Sequence, residues 1–167
     1  FGRNVSAAPI RAVVAGAWKE KIRPPAVAVE LSYEELVDTF LYARPKRWAL
    51  KFAPRLFWRR LRGKRTRGNA LIIGLLRGCL DLGVTIWAQT AAKRLISEQG
   101  CINGVEVDRN GTPVRVDTAK GVILASGGFE WNSEMMAKYF PGPVEWTASP
   151  DTNTGDGQRL AAEVGGQ

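Results

Sequence analysis

Two short segments of this 167-residue chain carry residue types whose chemistry lies in the backbone. In the first, Val122, Ile123 and Leu124 run into Ala125, Ser126, Gly127 and Gly128. The apolar triplet predicts a strand buried on both faces, and the small residues after it let a bare backbone approach a ligand, with glycine free to take positive φ. In the second, Asn153, Thr154, Gly155, Asp156 and Gly157 precede a segment of helical character over residues 158–164, which ends in Gly165 and Gly166. A glycine-rich turn at a helix start presents backbone N–H groups to anionic or polar ligand atoms, and the Asp156 carboxylate accepts from hydroxyls. Each segment alone is equally compatible with a plain turn. The chemistry indicated is ligand binding by backbone.

Other chemistries are narrowed by what is missing. The chain has no histidine, which removes the usual general base, the Ser-His-Asp triad and imidazole zinc sites. Reactivity must come from a cofactor or from Tyr, Arg, Lys and carboxylates. Tyr33, Tyr42 and Tyr139 are the only tyrosines and none sits in a catalytic motif; Tyr139 is expected to pack beside Pro141. Arg159 is an outside candidate for phosphate or carboxylate contact, with a solvent-facing helix position as the plainer reading. Cys79 and Cys101 form no Cys-x-x-Cys pair and read as free buried thiols of a reducing compartment. The strand, Gly-x-Gly-x-x-Gly turn and helix that open a dinucleotide-binding fold do not occur.

The elements that must position these segments are legible from residue 68 onward. Asn69 is expected to cap a helix running to about Leu82, with Ile72, Leu75, Leu76, Cys79 and Leu80 as its apolar stripe, an Arg77–Asp81 pair and Gly83 as the stop. Val84, Thr85, Ile86 and Trp87 read as a strand, ended by Gln89, Thr90, Ala91 and Ala92. Residues 93–116 then read as an antiparallel meander, with turns at Gln99-Gly100 and Asn110-Gly111 and period-two alternation of Val105, Val107, Val114 and Val116.

Before residue 68 the sequence is less regular. Residues 12–18 suit a short helix stopped by Pro24 and Pro25. Ser32 and Glu35 form a capping-box pattern before Leu36, Val37, Phe40 and Leu41, predicting a helix that ends near Arg44. Of the chain's 24 basic residues, eleven lie between Arg44 and Arg67, where there is no acid; elsewhere thirteen basic residues face sixteen acidic ones. The net charge of +8 therefore belongs to one segment. Trp48, Leu50, Phe52, Leu56, Phe57, Trp58 and Leu61 interleave with its cations. Three readings stay open: a helical lid with solvated cations, an interfacial helix on a membrane, and a nucleic-acid element. With 45% hydrophobic and 24% charged residues the chain suits a globular domain, and no run approaches the roughly 20 apolar residues of a membrane span. The N-terminus has no apolar run like that of a signal peptide.

Taken in order, Gly121 to Phe129, then Asn132, Glu134, Met135, Tyr139 and Pro141, then Asn153 to Gly157 with its Ala-rich helix, resemble the FAD-binding flavoproteins of the fumarate reductase and succinate dehydrogenase superfamily. Phe129, Glu130, Trp131 and Asn132, with Trp146 and Thr147, resemble most the branch containing 3-ketosteroid Δ1-dehydrogenases. The resemblance implies an α/β fold: the second half of an FAD-binding Rossmann-like domain with a small antiparallel meander (residues 68–167), and part of a basic, helical cap or lid (residues 1–67). It implies FAD as cofactor, held by Ala125, Ser126, Gly127, Gly128, Asn153, Thr154, Gly155 and Asp156, with Thr90 and Ala91 at its adenine end. The implied parent protein transfers a hydride between flavin and a ketone or enone, 3-ketosteroids among them. The alternatives are a fumarate reductase-like flavoprotein and a non-catalytic piece whose basic segment binds anionic membrane or nucleic acid. The chain is expected to be an internal piece of a longer flavoprotein, partnered by the remainder of its own fold and a small lipophilic substrate. Its expected location is cytoplasmic, with peripheral membrane contact open.

Overall fold

The structure is a computed structural model that describes residues 7–23, 29–38, 44–140 and 142–166, the side chains of residues 36–38 excepted. Its contacts divide the chain into two compact units, Phe1–Ile86 and Trp87–Gln167.

In the first unit, strand β1 (Ile10–Arg11) pairs antiparallel with β2 (Lys64–Arg65), and the Ala12 N–H donates to Gly63 O at 2.8 Å. A 3-10 helix follows over Ala12–Lys21, kinked at Gly16 (φ 58°, ψ −131°), a conformation open to glycine. Helix α1 (Tyr33–Asp38) starts with the expected capping box: the Ser32 N–H donates to Glu35 Oε2 at 2.9 Å and the Glu35 N–H to Ser32 Oγ at 3.3 Å. The continuation of this helix expected through Phe40 and Leu41 lies outside the described residues. Helix α2 (Pro45–Leu61) opens on a proline, whose missing N–H costs nothing in a first turn, and carries Pro54 inside. Helix α3 (Arg67–Asp81) begins three residues earlier than expected. Its N-cap is Thr66, and Asn69 instead donates to Arg23 O at 3.1 Å. The Arg77–Asp81 pair and the stop at Gly83 (φ 73°) are as expected.

The core of this unit is small: Ala12, Ala15 and Ile73 are buried, with Ile10, Val14, Trp18, Ile22 and Leu76 packed around them. Helix α3 thus packs on the 3-10 helix through Ile73 and Leu76, and the expected stripe is corrected: Ile72, Leu75 and Cys79 are exposed. Helical periodicity places two apolar faces on α3, and the partner actually present selects one of them. Both cysteines are free, but exposed rather than buried.

Two carboxylates bind the basic segment together. Glu30, 9% exposed, accepts from the N–H and hydroxyl of buried Thr66, both at 3.0 Å, and its carbonyl accepts from Arg59 at 2.8 Å. Glu35 accepts from Arg55 at 2.7 Å and, in a two-point fork, from Arg59 at 2.5 and 3.0 Å. Burial pushes the Glu35 carboxyl pKa up, but the hydrogen bonds from Arg59, the Ser32 N–H and Arg55 outweigh it and bring it down to about 2.

In the second unit, β3 (Thr90–Glu98), β4 (Cys101–Arg109) and β5 (Thr112–Asp117) form the expected antiparallel meander, in that order. Both turns have two residues at positive φ, Gln99/Gly100 (53°, 78°) and Asn110/Gly111 (54°, 83°), the mirror-image geometry that suits twisted hairpins. Asp108 Oδ1 accepts from the Gly111 N–H at 2.8 Å and closes the second turn. A Cβ at Gly104 would lie 2.9 Å from Val116 O, so the middle strand needs glycine there. Helices α4 (Ser133–Tyr139) and α5 (Asp156–Glu163) follow, and α5 packs against β3.

Two expected strands do not form among the described residues. Residues 84–87 and 121–129 carry no ladder, and Ile123 is 94% exposed. A strand of a parallel sheet takes its hydrogen bonds from chain segments distant in sequence, and among the described residues no such neighbour pairs with either segment. Thr90 and Ala91, expected at a strand end, are instead the first residues of β3, opposite Arg109 and Asp108.

Since folding lowers the Glu35 carboxyl from 4.5 to about 2, its stabilisation is complete above about pH 4.5 and is lost as pH falls through about 2. In the full-length protein, Glu35→Gln is expected to cost about 1–2 kcal/mol at pH 7, after discounting for solvent screening. Denaturant unfolding across pH checks this, because the gap between wild type and variant should close as the pH falls below about 4.5.

Candidate functional site

The two glycine segments meet. The Gly155 N–H donates to Gly128 O at 3.0 Å, the Gly157 N–H to Ser126 Oγ at 3.0 Å, and the Gln158 side-chain amide to Gly127 O at 3.0 Å. The start of α5 is thereby laced to residues 126–128. Gly155 is the N-cap of α5 in the left-handed conformation (φ 81°), a position suited to glycine because an L side chain is strained there.

The crossing is too close for side chains. A Cβ on Gly155 would collide with Met135 Sδ and lie 2.9 Å from Phe129 Cβ. On Gly157 it would strike Ser126 Oγ, and on Gly127 (φ 91°) it would lie 2.6 Å from Asn153 Oδ1. Gly155 and Gly157 are buried, while Ala125, Ser126, Gly127, Thr154 and Asp156 are exposed. Glycine here serves protein-to-protein approach inside the junction, and the exposed residues offer a backbone ribbon with short side chains on its outer side.

Asn132 braces the junction. Its Oδ1 accepts from the Met135 N–H at 3.1 Å, capping α4, and its Nδ2 donates to Thr154 O at 3.0 Å. The Trp131 N–H donates to Asn153 O at 3.0 Å, and its indole N–H to Ser149 O at 3.1 Å. One residue, Asn132, therefore fixes both the entry of α4 and the turn before α5. The Thr154 hydroxyl lies 3.3 Å from Asp156 Oδ2, which leaves that exposed carboxylate with free acceptor capacity.

Of the expected site residues, the structure brings together Ala125, Ser126, Gly127 and Gly128 with Asn153, Thr154, Gly155 and Asp156. Thr90 and Ala91 stand apart at the head of β3, and among the described residues no hydrogen bond ties them to the junction. The N–H groups of Gly155 and Gly157, expected to face a ligand, are already used inside the protein. The exposed members keep outward surface that the junction does not use. Arg159 pairs with Glu163 one turn along α5 at 2.7 Å, the solvent-facing alternative. Tyr139 meets Phe129 edge-on, ring centroids 6.0 Å apart, in an open groove of about 750 Å³ between α4 and α5; Pro141 lies outside the described residues. Gln158 and the covering pair Phe129 and Met135 were not legible in advance. An Asn immediately before a helical segment was the available signal for Asn132.

Comparison with known proteins supplies the context. A family profile described as "FAD binding domain" matches residues 2–167. A 3-oxosteroid 1-dehydrogenase of Mycobacterium tuberculosis is 32% identical over 180 residues, covering 98% of this chain and 32% of that protein. A 4-oxocyclohexanecarboxylate 2-dehydrogenase of Sinomonas cyclohexanicum is 33% identical over 104 residues, 60% of this chain and 18% of that protein. Among solved structures, 3-ketosteroid delta1-dehydrogenase from Sterolibacterium denitrificans, in complex with 1,4-androstadiene-3,17-dione, superposes with a TM-score of 0.80 at 27% identity over 99% of this chain and 33% of that one. The chain spans about a third of the length of the first and last of these relatives.

The junction predicts a non-additive pair of substitutions. Gly157→Ala alone should destabilise the protein by about 1–3 kcal/mol, because its methyl strikes Ser126 Oγ. Ser126→Ala alone should cost about 0.5–1.5 kcal/mol for the lost hydrogen bond. In the double variant the nearest atom to the new methyl becomes the residue 126 Cβ, 3.6 Å away, an ordinary contact. Thermal unfolding should therefore show the double variant more stable than the sum of the singles by about 1 kcal/mol.

Proposed function

Because the chain belongs to the FAD binding domain family, we propose that it is part of an FAD-dependent dehydrogenase acting on carbons beside a ring ketone, with 3-ketosteroids as the favoured substrate class. The single observation that carries the cofactor assignment is the laced junction of residues 126–128 with residues 155–158. The substrate class is supported by the two relatives whose names specify oxo-substituted ring substrates.

The residues present fit FAD. Ala125, Ser126 and Gly127 expose a backbone with no side chain beyond a hydroxyl, which admits a flat or extended ligand to contact distance. At its rim, Asp156 keeps acceptor capacity for the ligand's hydroxyls, while Thr154 and Asn153 hold the turn in place. Gly128 and Gly155 contribute by making the close crossing on which the exposed ribbon rests. Thr90 and Ala91 are proposed for the adenine end, at the head of the strand against which α5 packs. Residues 68–167 are proposed as the C-terminal part of the FAD-binding domain and residues 1–67 as part of a cap or lid over the substrate.

When bound, FAD would accept a hydride from the carbon β to the ketone, while the α C–H acidified by the carbonyl gives up a proton, so that a conjugated C=C forms. The described part of this chain contributes binding and orientation to that reaction. Tyr139, committed to its contact with Phe129, is given a packing role and no part in proton transfer.

The full-length protein, supplied with FAD, a 3-ketosteroid and an artificial electron acceptor, is expected to introduce a ring double bond conjugated with the ketone, read as a shift in ultraviolet absorbance. Turnover of fumarate with reduced flavin, and none of the ketosteroid, would instead assign the fumarate reductase alternative. Asp156→Ala should weaken FAD retention about tenfold or more, corresponding to about 1.4 kcal/mol, in a flavin fluorescence titration. Unchanged retention would remove Asp156 from the site.

A further inference from the structure

Helix α2 carries two apolar faces, and only one of them is packed. Phe52 is 4% exposed, and Trp48 and Leu56 on the same side are half-buried. Leu50, Pro54, Phe57 and Leu61, spaced four, three and four residues apart, form a second stripe on the opposite side of the helix. There Leu50 is 82% exposed and Phe57 and Leu61 are each 65% exposed. Trp58, at 54% exposure, widens the stripe.

The cations of α2 divide in the same way. Arg55 and Arg59 lie towards the packed side, where Glu35 neutralises them. Helical spacing sets Lys46 and Arg60 along one margin of the outer stripe and Arg47 and Lys51 along the other. Arg62, just past the helix, stacks on the Trp58 ring at 5.4 Å. Among the described residues no carboxylate pairs with Lys46, Arg47, Lys51, Arg60 or Arg62. The outer side therefore joins bulky apolar residues, an indole and two margins of unneutralised cations.

We propose that this outer side of α2 seats the protein on an anionic lipid surface. The apolar stripe enters the boundary between headgroups and acyl chains, Trp58 lies at headgroup level, and the two cationic margins meet lipid phosphates. Charge complementarity selects this occupant. A nucleic acid would neutralise the margins but leave Leu50, Phe57 and Leu61 against water. A purely apolar protein segment covering the stripe would bury it but leave the cations of both margins without partners. No helix among the described residues is long and apolar enough to cross a membrane. The inference is independent of the oxidoreductase reading, and its test involves neither flavin nor turnover.

The test is co-sedimentation of the full-length protein with phosphatidylcholine vesicles, with and without phosphatidylglycerol. Binding is expected only with phosphatidylglycerol, and should weaken about tenfold or more when salt rises from about 0.05 to about 0.5 M. Phe57→Asp with Leu61→Asp should abolish binding at low salt, and Arg47→Gln with Lys51→Gln should weaken it about tenfold. Circular dichroism and melting temperature should match wild type for both variants, since the substituted side chains are exposed. Absence of vesicle binding by the wild type overturns the proposal. So does binding that Phe57→Asp with Leu61→Asp leaves intact. Salt-sensitive binding to a nucleic-acid duplex without vesicle binding overturns it in favour of a nucleic-acid surface. A large fall in melting temperature in the aspartate variant with unchanged vesicle binding overturns it in favour of an internal packing face.

Discussion

The hydrogen bonds between residues 126–128 and the start of α5 are the constraint on which the second unit's geometry depends. The N–H groups of Gly155 and Gly157 reach Gly128 and Ser126, so a helix N-terminus whose donors would otherwise face solvent is tied to another part of the chain. This approach tolerates no Cβ at Gly155 or Gly157, which explains why glycine, despite its entropic cost, stands at a helix start. From that crossing the neighbours follow: Asn132 caps α4 while holding Thr154, and Trp131 holds Asn153. The exposed ribbon assigned to FAD is the outer side of a knot made for internal reasons.

The first unit solves a different problem, the concentration of eleven basic residues in a span without acids. Glu30 and Glu35, both preceding that span, gather the arginines that fold back on them. Glu35 takes two guanidinium groups and the Ser32 N–H, enough to overcome the burial that opposes its charge. Among the described residues, Arg55 and Arg59 are the cations of α2 that pair with a carboxylate. The same helix keeps another set of cations unneutralised, so its two sides are chemically distinct: one is held by internal ion pairs and the other is free for an external anion.

What could be read from sequence follows the range of the interactions. The capping box at Ser32 and Glu35, the Arg77–Asp81 pair and both hairpins of the meander depend on residues no more than a few positions apart, and all form as read. The FAD-binding family is likewise carried by ordered local motifs, and the match over residues 2–167 bears it out. Elements that depend on distant partners were misread. Val122, Ile123 and Leu124 look like a buried strand, but a strand exists only beside another strand, and Ile123 faces solvent. Periodicity on α3 identified apolar residues without saying which face meets the 3-10 helix, so Ile72 and Leu75 were placed inside and Ile73 was missed. At the site, either glycine cluster alone resembles an ordinary turn. Their mutual contact requires the tertiary fold, and the structure adds Gln158, Phe129 and Met135 as the groups that make it close.

The two tight turns of the meander also order events in time. Every ladder contact of β3, β4 and β5 joins residues within one hairpin or its neighbour, so little chain entropy is lost in closing each loop. Hairpins of this kind form in about 1–10 μs. The crossing of residues 126–128 with residues 155–158 spans a longer stretch of chain and closes against greater entropy. Local closure favours the meander ahead of the crossing, so the ribbon proposed for the cofactor, laced to α5, is expected to take shape after the platform on which α5 docks.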